Sequence, residues 1–177
     1  EKNGLTTSLL NLLKHLDKNT RNYFVGIDEA ALDKEPSRLS LLPDDVGFIP
    51  TENGVYRSIS EAVASILYFR LNKRGKWISK RINQLFSREL RRRFCGVNFQ
   101  TSIQYAGYEV KHIHIFQHFE NKKIIFVHND MLEEINTRKN QHLLTLQDAY
   151  RNYDHVAVVT KDLIPSTQKI AGSDVSL

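Results

Sequence analysis

The sequence contains few of the residues that crosslink a chain or interrupt its regular structure. It has one cysteine, Cys95, with four prolines and eight glycines among 177 residues. A single cysteine cannot form an intrachain disulfide or a zinc site built on several thiolates. The scarcity of cysteine is typical of a reducing compartment.

Long apolar runs are also missing. No segment approaches the ~18 consecutive apolar residues that cross a bilayer. The leucines near the amino end are separated by Thr, Ser, Asn, Lys and His, a pattern that does not predict a signal peptide. We therefore expect a cytoplasmic protein.

What the chain does contain suits one domain, residues 1–177, or one domain of a larger enzyme. The apolar fraction of 41% is sufficient for a hydrophobic core. The net charge of +5 and a pI near 9.3 favour an anionic partner. Nucleotide phosphate, nucleic acid and an acidic membrane face all fit this charge.

A short apolar segment in the second half of the chain organises the rest. Residues 122–127 (KKIIFV) form a continuous run typical of a strand covered on both faces. His128, Asn129 and Asp130 follow at once. In parallel sheets the chemistry lies at the carboxyl ends of the strands, so these side chains are candidate functional residues.

Strand and helix patterns alternate along the chain, which predicts an α/β fold with a doubly wound, mostly parallel, Rossmann-like sheet. The predicted strands are 23–27, 46–49, 97–104, 122–127 and 155–159. The predicted helices are 5–16, 59–69, 70–93, 109–119 and 143–152. Residues 28–43 are predicted to be irregular. The polar segments expected to meet at one edge of the sheet are 4–7, 105–108, 128–130 and 160–162.

The first predicted helix begins at a glycine-containing turn. Gly4, Leu5 and Thr6 would present free backbone N–H groups, which can bind a phosphate. The alternative is an ordinary capped helix. Such a helix usually follows a strand, and we expect the first strand of the fold to be missing from this chain.

The segment 70–93 predicts a basic amphipathic helix. It holds ten basic residues and a single acid, Glu89. The basic residues include Arg81, Arg88, Arg91 and Arg92. This pattern fits a solvated surface helix or a contact with anionic lipid headgroups. Nucleic acid is less favoured, because the aromatic residues occupy core-type positions and no common nucleic-acid motif is present.

Histidines at positions 114 and 118 are spaced like a metal-binding pair on a helix. No third ligand is evident beside them. The sequence therefore predicts neither a metal site nor a cofactor.

Four segments carry a resemblance to a known family. They are residues 3–13 (NGLTTSLLNLL), 103–108 (IQYAGY), 126–131 (FVHNDM) with Glu134, and 150–163 (YRNYDHVAVVTKDL). In this order they resemble the amino-terminal half of retaining, glycogen-synthase-like glycosyltransferases of the GT-B fold. Members of that superfamily assemble bacterial cell-wall and surface polysaccharides.

The resemblance implies roles for the matching residues. Gly4, Leu5 and Thr6 would approach the donor diphosphate, and His128 and Asp130 would lie at the catalytic centre. Tyr105, Gly107, Tyr108 and Asn129 would bind the acceptor, a cell-envelope glycan or a teichoic-acid polymer. The nucleotide-sugar donor would be held mainly by a carboxyl-terminal domain that this chain lacks, so we expect the chain alone to be inactive.

We expect such a transferase to act at the cytoplasmic face of a membrane. The basic helix would contact the anionic lipid there through Arg81, Arg88, Arg91 and Arg92. Two alternatives remain open. Glycerophosphotransferases of teichoic-acid synthesis share this architecture, and a binding or regulatory module without chemistry would use the basic helix as its contact. We expect no nucleic-acid partner.

Overall fold

The computed structural model describes residues 4–17, 19–51, 56–94, 96–138 and 141–172, with the backbone alone at 28–31, 38, 110 and 111. The chain forms two compact units, Glu1–Val55 and Tyr56–Leu177, and each is described by itself. The expected organisation as a single domain stays a prediction.

The amino-terminal unit contains a pair of parallel strands, in which Tyr23 lies opposite Val46. Its elements are α1 (Gly4–His15), β1 (Tyr23–Asp28), α2 (Glu29–Lys34), a 3₁₀ helix (Pro36–Leu41) and β2 (Val46–Thr51). The prediction of an irregular segment over 28–43 is wrong. Glu-Ala-Ala-Leu-Asp-Lys is composed largely of good helix formers, and Pro36 begins a helical turn because its φ is already fixed.

The carboxyl-terminal unit begins with helices and continues with alternating strands and helices. Its helices are α3 (Ile59–Ser65), which continues as a π-helical turn (Ile66–Arg70), α4 (Lys76–Arg93), α5 (Val110–Phe116), α6 (Met131–Glu133), which continues as a second π-helical turn (Glu134–Arg138), α7 (Leu143–Tyr150) and α8 (Ile164–Ala171). Its strands are β3 (Thr101–Gln104), β4 (Lys122–Val127) and β5 (His155–Val158), and a 3₁₀ turn (Lys161–Leu163) precedes α8.

The three strands form a parallel sheet in the order β3-β4-β5. Ile124 lies opposite Ile103 on one side and His155 on the other. The expected α/β architecture with parallel strands is therefore confirmed, and the strand over 122–127 is the central one of this sheet.

One face of this sheet holds the core. Ile125, Val127 and Val156 are buried there. Crossovers between parallel strands are right-handed, and the strands lie in chain order, so both crossovers cover the same face. Ile113 of α5 and Leu146 of α7 join the strands in one hydrophobic cluster.

A second cluster lies behind α5. Tyr68, Ile82 and Phe86, from the α3–α4 pair, pack against Ile115 of α5. Since Ile113 of the same helix joins the sheet cluster, α5 is buried on two sides. The helices therefore form two successive layers on one face of the sheet.

Three predicted boundaries differ from the structure by three residues or more. The basic helix begins at Lys76 rather than 70, because Asn72 has φ +49° and Gly75 is extended at the helix start. The strand predicted over 97–104 begins at Thr101. The helix predicted over 109–119 ends at Phe116.

Candidate functional site

The carboxyl ends of β3 and β4 bring two predicted site residues into contact. His128 follows β4, and its Nε2 lies 2.8 Å from the backbone oxygen of Tyr105, which follows β3. The carboxyl ends of β3 and β4 lie next to each other because the two strands pair in parallel. Val159, after β5, donates its N–H to the Val127 oxygen at 3.2 Å, so the third strand end lies alongside.

The hydrogen bond fixes the role of each His128 nitrogen. A carbonyl oxygen accepts only, so Nε2 must carry the proton that is donated. In the neutral imidazole, Nδ1 is then the nitrogen with a free lone pair. His128 can therefore accept a hydrogen bond or a proton from a bound hydroxyl at Nδ1.

Aromatic rings surround this histidine. The ring centre of Tyr105 lies 5.1 Å from that of His128 and 5.2 Å from that of Phe126. The Phe126 and His128 rings are inclined by only 28°. All three side chains are half-buried and lie on the sheet face opposite the core. They form a half-buried surface that combines apolar ring area with the polar atoms of Tyr105 and His128.

Gly107 allows the loop after β3 to lie directly on β4. Its φ is +59°, and an added Cβ would lie 1.7 Å from the carbonyl oxygen of Phe126. Any side chain would push the loop away from the strand end. The predicted site residue Gly107 thus has a clear role in placing Tyr105 and Tyr108.

Tyr108 joins this loop to the π-helical turn after α6. Its hydroxyl donates to Glu134 at 2.9 Å, and Glu134 pairs with Arg138 at 3.3 Å. The Tyr108 hydroxyl, followed by the Glu134 charge, raises the pKa of Arg138. The Gln141 amide donates to the Tyr108 backbone oxygen at 2.9 Å, and the side-chain oxygen of this buried Gln141 has no partner.

Asp130 has a structural task in this arrangement. Its Oδ1 accepts the N–H groups of Leu132 at 2.9 Å and Glu133 at 3.1 Å, which caps α6. Asn129, between Asp130 and His128, is exposed. The catalytic role of Asp130 and the acceptor-binding role of Asn129 stay predictions.

The structure adds residues to the site that the sequence analysis did not single out. Arg138 and Gln141 lie beside Tyr108. Glu134 was part of the resemblance to the glycosyltransferases, but no role was predicted for it. The i, i+4 spacing of Glu134 and Arg138 is a sequence signal for an ion pair. The π-helical turn that carries both has no such signal, although π-helical turns are frequent at functional sites.

The predicted donor-phosphate residues belong to the other unit. Gly4 is the first residue of α1, and Gly4 and Thr6 are exposed. The helix was predicted to begin at Leu5, after a turn at the glycine, but it begins at Gly4 itself. Binding of phosphate by Gly4, Leu5 and Thr6 stays a prediction.

The four predicted membrane-contact arginines have different environments on α4. Arg81 and Arg91 are exposed. Arg88 makes a two-pronged ion pair with Glu61 of α3, and this hydrogen bond lowers the pKa of Glu61. Arg92 pairs at 3.1 Å with Glu89, a carboxylate that is only 2% exposed.

The i, i+4 histidines are His114, within α5, and His118, just after it. Both rings lie beside Phe86 of the second cluster. Burial lowers the pKa of His114 to about 3, and its ring stacks on Phe86 at 5.9 Å. Burial also lowers the pKa of His118. Across the described part of the chain, no group of three or more His, Cys, Asp or Glu side chains is arranged to hold a metal ion.

Comparison with known proteins adds no relative. No protein-family model matches this chain, and no curated protein matches it significantly. Within the described ranges, none of the helices combines the length and apolar character needed to cross a membrane.

Proposed function

We propose that this chain is the acceptor-side half of a glycosyltransferase, and that the surface formed by Tyr105, Phe126 and His128, which we call the rim, binds the acceptor. The observation that carries the proposal is the contact between His128 and Tyr105 at the carboxyl end of a parallel sheet. The four segments that resemble GT-B glycosyltransferases support the same assignment. The fold by itself supports many functions, so the argument depends on these side chains.

The chemistry of the rim suits a polyhydroxylated ligand. Tyr105 and Phe126 offer aromatic surface, and His128 Nδ1 offers a hydrogen-bond acceptor to a hydroxyl group. In a transferase, the same nitrogen would orient the attacking hydroxyl of the acceptor. The nucleotide-sugar would be bound mainly by a second domain.

One observation favours an acceptor that carries phosphate. Arg138 stands beside Tyr108 with 66% of its side chain exposed. A guanidinium group pairs well with phosphate oxygens. A polyol-phosphate polymer would therefore fit this rim, whether the transferred group is a sugar or glycerol phosphate.

Binding measurements on the full chain test this proposal. Poly(glycerol phosphate) and a neutral glucan oligosaccharide serve as acceptor probes in titration calorimetry. We expect His128→Ala to weaken binding about tenfold, since one hydrogen bond contributes roughly 1 kcal/mol and the loop position changes as well.

The matched control is His155→Ala. By register His155 lies on the same sheet face as His128, but at the opposite end of the strands. Equal weakening by both variants, or no binding of either probe to the unmodified chain, would contradict the proposal. The two acceptor probes also distinguish a polyol-phosphate acceptor from a neutral glycan.

A further inference from the structure

The outward side of α3 and of the π-helical turn that continues it carries an aliphatic stripe, which consists of Ile59, Val63 and Ile66. Residues at this i, i+4, i+7 spacing share one helix face. Their exposed fractions are 85%, 41% and 49%. The opposite side of the helix holds Glu61 and Ala64, which are buried. One face of the helix is therefore apolar and exposed.

Two further apolar side chains are exposed near the end of this stripe. Leu71 and Trp77 lie in and just after the connection between the π-helical turn and α4, and they are 56% and 47% exposed. Single exposed apolar residues are common, but a grouped set bordered by polar residues marks an interaction surface.

A basic face of α4 runs beside the stripe. Trp77, Arg81, Gln84, Arg88 and Arg91 follow one another at helical spacing and share one side of α4. Arg88 from this side reaches Glu61 on α3, so the side borders α3. Arg81, Gln84 and Arg91 are exposed. We call Arg81 and Arg91 the basic pair.

The positive charge of the chain is concentrated in the segment that contains α3 and α4. Residues 56–94 contain eleven Lys and Arg but two acids, while the rest of the chain has fourteen basic and eighteen acidic residues. Both acids, Glu61 and Glu89, are buried and ion-paired. The outer surface of these two helices therefore presents positive charge without exposed carboxylates.

We propose that the aliphatic stripe and the basic pair dock together onto an anionic lipid surface. An amphipathic surface of this type inserts its aliphatic side chains between headgroups while its arginines contact lipid phosphates. Trp77 at the border matches the preference of tryptophan for the membrane interface. Nucleic acid would use the arginines alone and leave the stripe in water, so lipid fits both features.

The proposal divides the four arginines that the sequence analysis assigned to membrane contact. The guanidinium groups of Arg88 and Arg92 are held by Glu61 and Glu89. Arg81 and Arg91 supply the lipid contact. The hydrophobic part comes from α3, a helix to which the sequence analysis gave no membrane role.

Vesicle co-sedimentation of the full chain tests the docking surface. The vesicles are phosphatidylcholine alone and an equal mixture of phosphatidylcholine with phosphatidylglycerol. We expect binding to the mixed vesicles, with strong weakening by salt, and little binding to the neutral ones. Equal binding to both would overturn the electrostatic part of the proposal.

Two variants separate the two parts of the surface. Arg81→Gln with Arg91→Gln should weaken binding roughly thirtyfold, since each basic side chain near an anionic surface contributes about a factor of five. Ile59→Ser with Val63→Ser and Ile66→Ser should weaken it about tenfold or more, since three aliphatic side chains lose their insertion. These residues are exposed, so the fold is expected to tolerate both changes.

The matched controls are Lys161→Gln with Lys169→Gln for charge, and Leu143→Ser with Leu144→Ser for apolar exposure. All four residues are exposed elsewhere in the same unit. Vesicle binding that the stripe variant leaves unchanged would overturn the proposal, and so would tighter binding of a single-stranded oligonucleotide than of the mixed vesicles. Dimerisation of the chain that the stripe variant abolishes would also overturn it, since a second copy would then cover the stripe. None of these outcomes involves the rim at His128.

Discussion

Gly107 illustrates how one residue determines the shape of the candidate site. Its positive φ lets the loop after β3 turn back, and the absence of a side chain lets this loop touch the Phe126 backbone. The Tyr-Ala-Gly-Tyr sequence predicted a loop with aromatic residues around a glycine. The close backbone approach was not predictable, because it depends on where the neighbouring strand ends.

We predict that Gly107→Ala is far more destabilising than Gly96→Ala. Both glycines have positive φ, but a Cβ at Gly96 meets no atom within 4 Å. Backbone strain alone costs about 1–2 kcal/mol. The clash at Gly107 adds roughly 2 kcal/mol more in the free energy of unfolding. Urea unfolding measures both variants, and equal losses would show that the loop does not rest on Phe126.

His114 makes a second single-residue prediction. Its ring is buried among Phe86, Tyr68 and Phe69, with Arg74 and His118 as nearby basic groups and Gln117 bonded to Nδ1. Burial lowers the pKa of His114 from 6.5 to about 3. Between these pH values the unfolded chain binds a proton that the folded chain does not, so folding stability falls as the pH falls.

The slope of stability against pH tests this assignment. We expect the free energy of unfolding to fall by up to about 1.4 kcal/mol per pH unit from this group below pH 6.5. His114→Phe, which keeps a flat ring beside Phe86, should reduce this slope. His15→Gln replaces an exposed histidine of α1 and should keep it. An unchanged slope in the His114 variant would contradict the burial of a neutral imidazole.

At the scale of whole elements, α4 shows both the reach and the limit of sequence patterns. The helical spacing of its apolar residues predicted an amphipathic helix, and the structure has one from Lys76 to Arg93. That spacing puts position 89 on the same face as Ile82 and Leu85, but the charge of Glu89 argued against its burial. A single acid among many bases suggests a solvated ion pair, yet Glu89 is 2% exposed and has arginine partners.

We predict that Glu89→Gln lowers the free energy of unfolding by about 3 kcal/mol, because removing one member of a buried ion pair leaves uncompensated charge. Arg93 is the main reason, since its side chain is only 4% exposed. The control Glu120→Gln changes an exposed carboxylate and should alter stability by less than about 0.5 kcal/mol. A similar small effect for both would show that Glu89 is solvated.

The strands show why β4 was predicted better than β3. The run of apolar residues in β4 ends at a polar triplet, and its bounds agree with the sequence analysis. In β3 the alternating pattern extends four residues before Thr101, where the chain has no partner strand. Alternation of residue types marks where a strand can form, while pairing decides how much of it does.

At the scale of the whole molecule, the chain has its large hydrophobic clusters in one unit. Both clusters consist of residues from the carboxyl-terminal unit. Among the described residues of the amino-terminal unit, only Leu13 and Val46 are buried apolar side chains. Composition predicted a core for the chain as a whole, but it could not show how the core is distributed, because that depends on long-range contacts.

We predict that residues 56–177 fold cooperatively without residues 1–55, since each hydrophobic cluster is complete within them. Far-ultraviolet circular dichroism and urea unfolding should give a single transition close to that of the whole chain. Residues 1–55 alone should lack a cooperative transition, because so small a segment buries little apolar surface. A fragment 56–177 that unfolds without cooperativity would show that its core requires the other unit.

The central claim is that the rim formed by Tyr105, Phe126 and His128 binds an acceptor. The most direct test is to titrate the isotope-labelled full chain with poly(glycerol phosphate) and to follow its backbone amide resonances. We predict concentration-dependent shifts at these three residues and at Glu134, and His128→Ala should move their midpoint to about tenfold higher ligand concentration. Shifts confined to α3 and α4, or rim shifts whose midpoint His128→Ala leaves unchanged, would contradict the account.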